Sequence, residues 1–334
     1  MKLLRYIIIA GLVICSVAAV SCKKDKKGSI STKAYLSGSF SLDIPSYVNR
    51  GDVFHIDPYG VYMGETADSL VGYRWTDPFT SKSDTLRYED EPASVGKAFD
   101  FVIPDDADLK TFTLSVAAFA EGYYDKNATA TFTVVDSTPE TGSLSGYSFL
   151  GSVSSFTDIR DDKEYYYVTI AGKDWMIQNL AWDGAGKSYA NSSAVDPIFG
   201  RYYDWDEALS ACPAGWSLPG DADFEAVAAL AGGSSLAAGS MMVDASFNGN
   251  KMWEFWPAVN ITNNSRFSAI PVGYYQVDGS KSEHKNFSKY ALFWTSDTDA
   301  DGLGIARYIY HDQPALFKSS FGKGSVMASV RCVR

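Results

Sequence analysis

Histidine is nearly missing from this chain. Three occur in 334 residues, His55, His284 and His311, too far apart for a His-x-x-x-His metal pair. None lies in an apolar strand-end setting that would mark a general base, and no Gly-x-Ser-x-Gly elbow exists. Gly184-Ala185-Gly186-Lys187-Ser188 ends like a phosphate-binding loop, but that motif needs Gly at 181, where the chain has Ala181. A glycosidase carboxylate pair is defined by spatial separation, and no pair stands out along the sequence. These absences describe a non-enzyme with no cofactor. Basic residues are also outnumbered, 29 against 40 acidic ones for a net charge of −11. Such a chain is a poor partner for nucleic acid, whose affinity comes mainly from basic contacts to phosphate. Only four cysteines occur and none forms Cys-x-x-Cys, so a redox pair is not indicated.

Apolar and aromatic residues are plentiful. Hydrophobic residues make up 46% and aromatics 14%, enough for folded cores and in favour of β-structure over a helical bundle. At this length about two domains are expected. Residues 1–21 read as a signal peptide: Lys2 and Arg5 come first, then an uncharged run too short to span a membrane. It ends Ala19-Val20-Ser21-Cys22, which resembles the lipobox of Bacteroidetes lipoproteins and implies lipidation at Cys22. A charged tether follows over 22–33. Cleavage would leave 27 basic residues against 40 acidic ones, a net charge of −13. The implied location is the outer membrane of a Gram-negative bacterium, with the membrane as partner through the N-terminal lipid. The basic tether leaves both faces of that membrane open.

Residues 34–136 alternate with period two, as in Phe40/Leu42/Ile44, Phe99/Phe101/Ile103, Phe112/Leu114/Val116 and Ala130/Phe132/Val134. With turns at 49–52 and 104–106 this predicts an all-β, antiparallel immunoglobulin-like or PKD-like sandwich, with Trp75 a candidate for the central-strand tryptophan. Residues 137–149 read as a Ser/Thr/Gly/Pro linker, and Asp136-Ser137-Thr138 resembles a short O-glycosylation motif of Bacteroidetes exported proteins. Further on, 204–211 and 221–231 read as helices, the second with Asp221 as N-cap and Gly232-Gly233 as stop. The remaining pair Cys212 and Cys332 is most simply one structural disulfide.

A series of blocks then becomes specific. Val168-Thr169-Ile170-Ala171-Gly172-Lys173-Asp174-Trp175-Met176-Ile177-Gln178-Asn179-Leu180 is followed by Gly200-Arg201-Tyr202-Tyr203-Asp204-Trp205 and by Cys212-Pro213-Ala214-Gly215-Trp216-Ser217-Leu218-Pro219. Phe267-Ser268-Ala269-Ile270-Pro271-Val272-Gly273-Tyr274, Phe293-Trp294-Thr295-Ser296 and Ser329-Val330-Arg331-Cys332-Val333 complete it. In this order, over 150–334, they resemble the Fibrobacter succinogenes major paralogous domain. The resemblance implies an α+β, C-type-lectin-like fold and an exported protein, with Trp175, Trp205, Trp216 and Trp294 in the core.

Two candidate sites follow. Asp297, Asp299 and Asp301 copy the first half of an EF-hand loop, but the chain has Tyr308 where the bidentate Glu is due, so they are weak metal candidates and a solvated turn is preferred. The 251–257 run holds Trp253, Phe255 and Trp256 beside Asn248, Asn250 and 260–264, a mixture suited to stacking on sugar and bonding its hydroxyls; Trp182 is a third candidate. The alternative is that Trp253 and Trp256 plug the base of a long loop. The expectation is a non-catalytic adhesion-type lipoprotein binding glycan or surface protein. The alternative function is a structural or fimbria-associated envelope subunit.

Overall fold

The computed structural model describes residues 22–24, 30–58, 60–64, 71–86, 98–139, 141–146 and 153–334. The export signal over 1–21 and the side chain of Cys22 lie outside the described residues. The chain is β-rich and built from several small sheets. It divides into two compact units, Met1–Leu42 with Asp57–Phe99 and Leu114–Thr129, and Asp43–Ile56 with Asp100–Thr113 and Ala130–Arg334. The stretch 34–136, read above as one sandwich, therefore contributes residues to both.

In the first unit, strands β2 (Gly72–Thr76) and β3 (Ser83–Leu86) form an antiparallel hairpin. The second half of β4 (Thr111–Phe119) pairs antiparallel with β2; strand β1 (Tyr47–Asn49) belongs to the second unit. Tyr73, not Trp75, is the buried aromatic of β2, at 1% exposure with the Phe40 ring edge-on to it. Trp75 is half-buried and stacks flat on Phe99, centroids 3.7 Å apart. Two expectations need correction. The stretch 40–44 is not a strand, and Pro45 after it has no N–H to donate to a ladder. Nor is all pairing antiparallel, because β1 runs parallel to the end of β5 (Lys126–Val135).

The rest of the second unit starts with an antiparallel meander of β6 (Ser154–Asp158), β7 (Lys163–Ile170) and β8 (Lys173–Met176). Helix α1 (Trp205–Ala211) starts one residue after the 204 read from the sequence, because Asp204 is its N-cap: Asp204 Oδ1 accepts from Glu207 N at 2.8 Å and Glu207 Oε2 accepts from Asp204 N at 3.0 Å, a capping box. Helix α2 (Asp221–Ala229) is capped differently from expectation. Gly220 is the N-cap, its N–H donates to Asp223 Oδ2 at 2.9 Å, and Asp221 is the first helical residue. That frees the Asp221 carboxylate for partners on the facing sheet. The helix also ends two residues early, and Gly233 at φ +108° donates back to Ala228 O. Strands β9 (Tyr290–Thr298), β10 (Gly304–Tyr310) and β11 (Leu316–Phe321) form a second meander. The C-terminal segment then threads the unit: Ser329 bridges to Phe293, and Val333 to both Trp175 and Ser217.

Trp175, Trp205, Trp216 and Trp294 are all buried. Trp175 meets Phe224 of α2 and Phe267 edge-on at 5.2 and 5.4 Å. Apolar surface removed from water at about 25 cal/mol per Å2 is the main force holding these layers. Cys212, just after α1, is bonded to Cys332, pinning the terminal segment to that helix.

Candidate functional site

A short hairpin organises one side of the second unit. Ser246–Phe247 pairs antiparallel with Asn250–Lys251. Its turn is Asn248-Gly249, with φ of +45° and +78°, the left-handed pair that matches strand twist. Leu144–Ser145 adds a third strand. Beside this hairpin lies a cleft of about 400 Å3, with Asp244, Thr262, Asn264 and Arg266 on its rim and Val168 and Ile177 in its apolar part.

The loop that forms the rim is held in an uncommon backbone. Asn263, Arg266 and Ser268 all have left-handed φ, of +50°, +62° and +58°. Non-glycine residues there persist only where their surroundings impose the conformation. Asn263 Nδ2 donates to Ser268 Oγ and Ser268 N donates to Asn263 Oδ1, both at 2.9 Å. Ser265 donates from Oγ and N to Ser240 O at 2.7 and 3.0 Å. Arg331, fully buried, completes the hold. Its Nη1 donates to Phe267 O at 2.7 Å and its Nη2 to Ser268 O at 2.9 Å, while its guanidinium lies over the Phe267 ring. The loop is thus held by bonds within the protein.

The three candidate tryptophans have different fates. Trp253 is only 5% exposed and donates from Nε1 to Ala269 O at 3.3 Å, so its ring has no free face for a ligand. It plugs the core, and its place in a stacking site is corrected. Trp256 is 44% exposed, with His311 edge-on to it and Phe255 next door at 84%. Trp182 is half-buried, with the Arg160 guanidinium 4.2 Å over its ring and the Gly184 backbone packed so closely that a Cβ there would lie 2.2 Å from a ring carbon. Trp182 and Trp253 pack on different parts of the core.

Two aspartates of the 297–301 turn have carboxylates engaged within the protein. Asp297 Oδ2 accepts from Asp221 N at 2.6 Å, and Asp299 Oδ1 accepts from Asp301 N and Leu303 N. The Ser320 hydroxyl bond, helped by these backbone donors, holds the Asp299 carboxyl below its ordinary value. Among the described residues no group of three or more His, Cys, Asp or Glu side chains is arranged to hold a metal ion. Nearby, Arg307 is 2% exposed between Asp221 and Glu225, at 2.5 Å from each, and Lys318 reaches Asp221 at 2.8 Å. Burial alone would raise the Asp221 carboxyl, but the bonds from Arg307 and Lys318 outweigh it and bring it down. This network ties α2 to β10 and β11.

Arg331 and Arg307 were not singled out by sequence reasoning. Arg331 had one visible signal, a lone charge inside the apolar run Val330-Arg331-Cys332-Val333.

The family model of the Fibrobacter succinogenes major domain matches residues 168–334, half of the chain. The match begins inside β7, so residues 150–167 of the stretch read as this domain lie outside it. No curated protein and no solved structure matches the chain.

Proposed function

The chain belongs to the Fibrobacter succinogenes major domain family, and from that premise we propose a non-catalytic, lipid-anchored envelope protein whose C-terminal domain binds glycan in the cleft rimmed by the 262–268 loop. One observation carries the reading. The cleft is bounded by a backbone already forced into left-handed conformations and clamped by Arg331. Amide, hydroxyl, carboxylate and guanidinium groups rim an apolar floor, a mixture that matches the hydroxyls and CH faces of a sugar.

The proposal includes the finer assignments: an immunoglobulin-like spacer within 34–136 and a C-type-lectin-like fold over 150–334. It also includes export through residues 1–21 and a lipid on Cys22 that holds the chain at the outer membrane. Cys22→Ala should then move the protein from washed membranes to the soluble exported fraction, and a variant that still pellets with membranes overturns the anchor. One observation favours the second reading, a structural or fimbria-associated envelope subunit. Phe255 and Trp256 form an exposed apolar tip of the kind that marks protein contacts.

A glycan array separates the two. Wild type should bind a defined set of glycans, and an Asn264→Ala/Arg266→Gly variant, which keeps the left-handed backbone open to residue 266, should lose them. Absence of any glycan binding by folded wild type rejects the cleft reading in favour of the subunit.

A further inference from the structure

We propose that a second cleft in the same unit is a subsite for a carboxylate-bearing sugar, so that the ligand class is acidic glycan. This rests on the glycan reading above. The second cleft, of about 300 Å3, is lined by Tyr47, Lys110, Phe247, Asn248, Asn250 and Lys251, among others. It adjoins the first, because Lys251 on its wall pairs at 2.6 Å with Asp244 on the rim of the other. A chain of sugars could therefore occupy both across that ion pair.

The chemistry of the wall is specific. Tyr47 and Phe247 meet edge-on at 6.1 Å and provide aromatic surface for a pyranose face. Asn248, on the same wall, has its amide fixed by donation from Nδ2 to Val134 O at 3.1 Å. The two lysines set the charge. Lys110 pairs with Asp108 at 2.7 Å and Lys251 with Asp244 at 2.6 Å, and all four side chains are more than half exposed. Exposed pairs of this kind hold with only ~0–1 kcal/mol. Each ammonium can thus turn to a ligand carboxylate at little cost.

The test titrates the purified chain by calorimetry with a uronic-acid trisaccharide and with its neutral counterpart of the same linkage. The acidic sugar should bind at least ten-fold more tightly, and the preference should fade at high salt. A Lys110→Met/Lys251→Met variant should lose the preference while keeping its melting temperature. Equal affinities in wild type, or a preference that survives in the variant, overturn the proposal. Equal affinities for the two sugars in wild type, both abolished by Asn264→Ala/Arg266→Gly, would leave the first cleft standing while rejecting the second. If neither sugar binds, and the array is also blank, both proposals fail together.

Discussion

Arg331 Nε donates to Asn179 Oδ1 at 2.7 Å across 152 positions of sequence, and the same amide donates from Nδ2 to Phe199 O at 2.8 Å. The amide is thereby oriented by the arginine, whose two other nitrogens donate to the carbonyls of Phe267 and Ser268. One buried fork joins the end of the first family block, the chain terminus and the cleft loop.

Arg331→Lys should therefore be costly although it keeps the charge. A single ammonium cannot span Asn179 and two carbonyls at once, and it leaves buried acceptors unpaired. A loss of roughly 3–5 kcal/mol in urea denaturation is expected, on the scale of breaking a buried charged network. An unchanged midpoint would refute the clamp.

Cys212 and Cys332 close a loop of 120 positions, and Cys332 is fully buried. On the chain-entropy model a loop of about 100 residues contributes up to ~4.7 kcal/mol. The Cys212→Ser/Cys332→Ser variant should melt at lower temperature, and proteolysis should reach the C-terminal segment first. Equal melting curves for oxidised and reduced wild type would speak against a stabilising bridge.

His284 supplies a pH dependence. Its Nε2 accepts from Ala190 N at 3.1 Å, and Ala190 and Asn191 both have left-handed φ. Burial, and then the nearby Lys187 charge, push the imidazolium down to about 4 from an ordinary 6.5. The folded state then holds fewer protons than the unfolded one between those values. Its stabilisation is fully present above pH 6.5 and is lost as the pH falls towards 4. Melting temperature measured across this window should fall with acid, and His284→Phe should flatten the slope. A variant with the wild-type slope would assign the effect to other groups.

Trp253 and Trp256 should separate cleanly. Trp253→Ala empties a buried site and is expected to cost about 3–5 kcal/mol. Trp256→Ala, at a ring 44% exposed, should leave the denaturation midpoint within about 1 kcal/mol of wild type. If the two variants are equally destabilised, the tip is more tightly packed than its exposure indicates.

The sequence by itself determined what depends on neighbours along the chain. The ordered blocks identify the family, and Asp204 with Glu207 three residues on announces the start of α1 because capping is local chemistry. Alternation placed Phe101, Leu114, Phe132 and Val134 inside, since the period of a strand is a property of its own backbone. Tertiary structure decided what depends on remote residues. Trp253 and Trp256 share one aromatic run, yet one is buried and the other exposed; the difference lies in what packs against each, Ala269 in one case and the edge of His311 in the other. Asp221 passed from cap to ion-pair partner because Arg307 and Lys318 come to it from β10 and β11. The cleft joins Asp244 to the 262–268 loop, and its shape rests on Arg331 at the far end of the chain. Spacing along the chain cannot encode such meetings, because a buried charge is placed by the partners that compensate its desolvation, and those partners come together only when the chain folds.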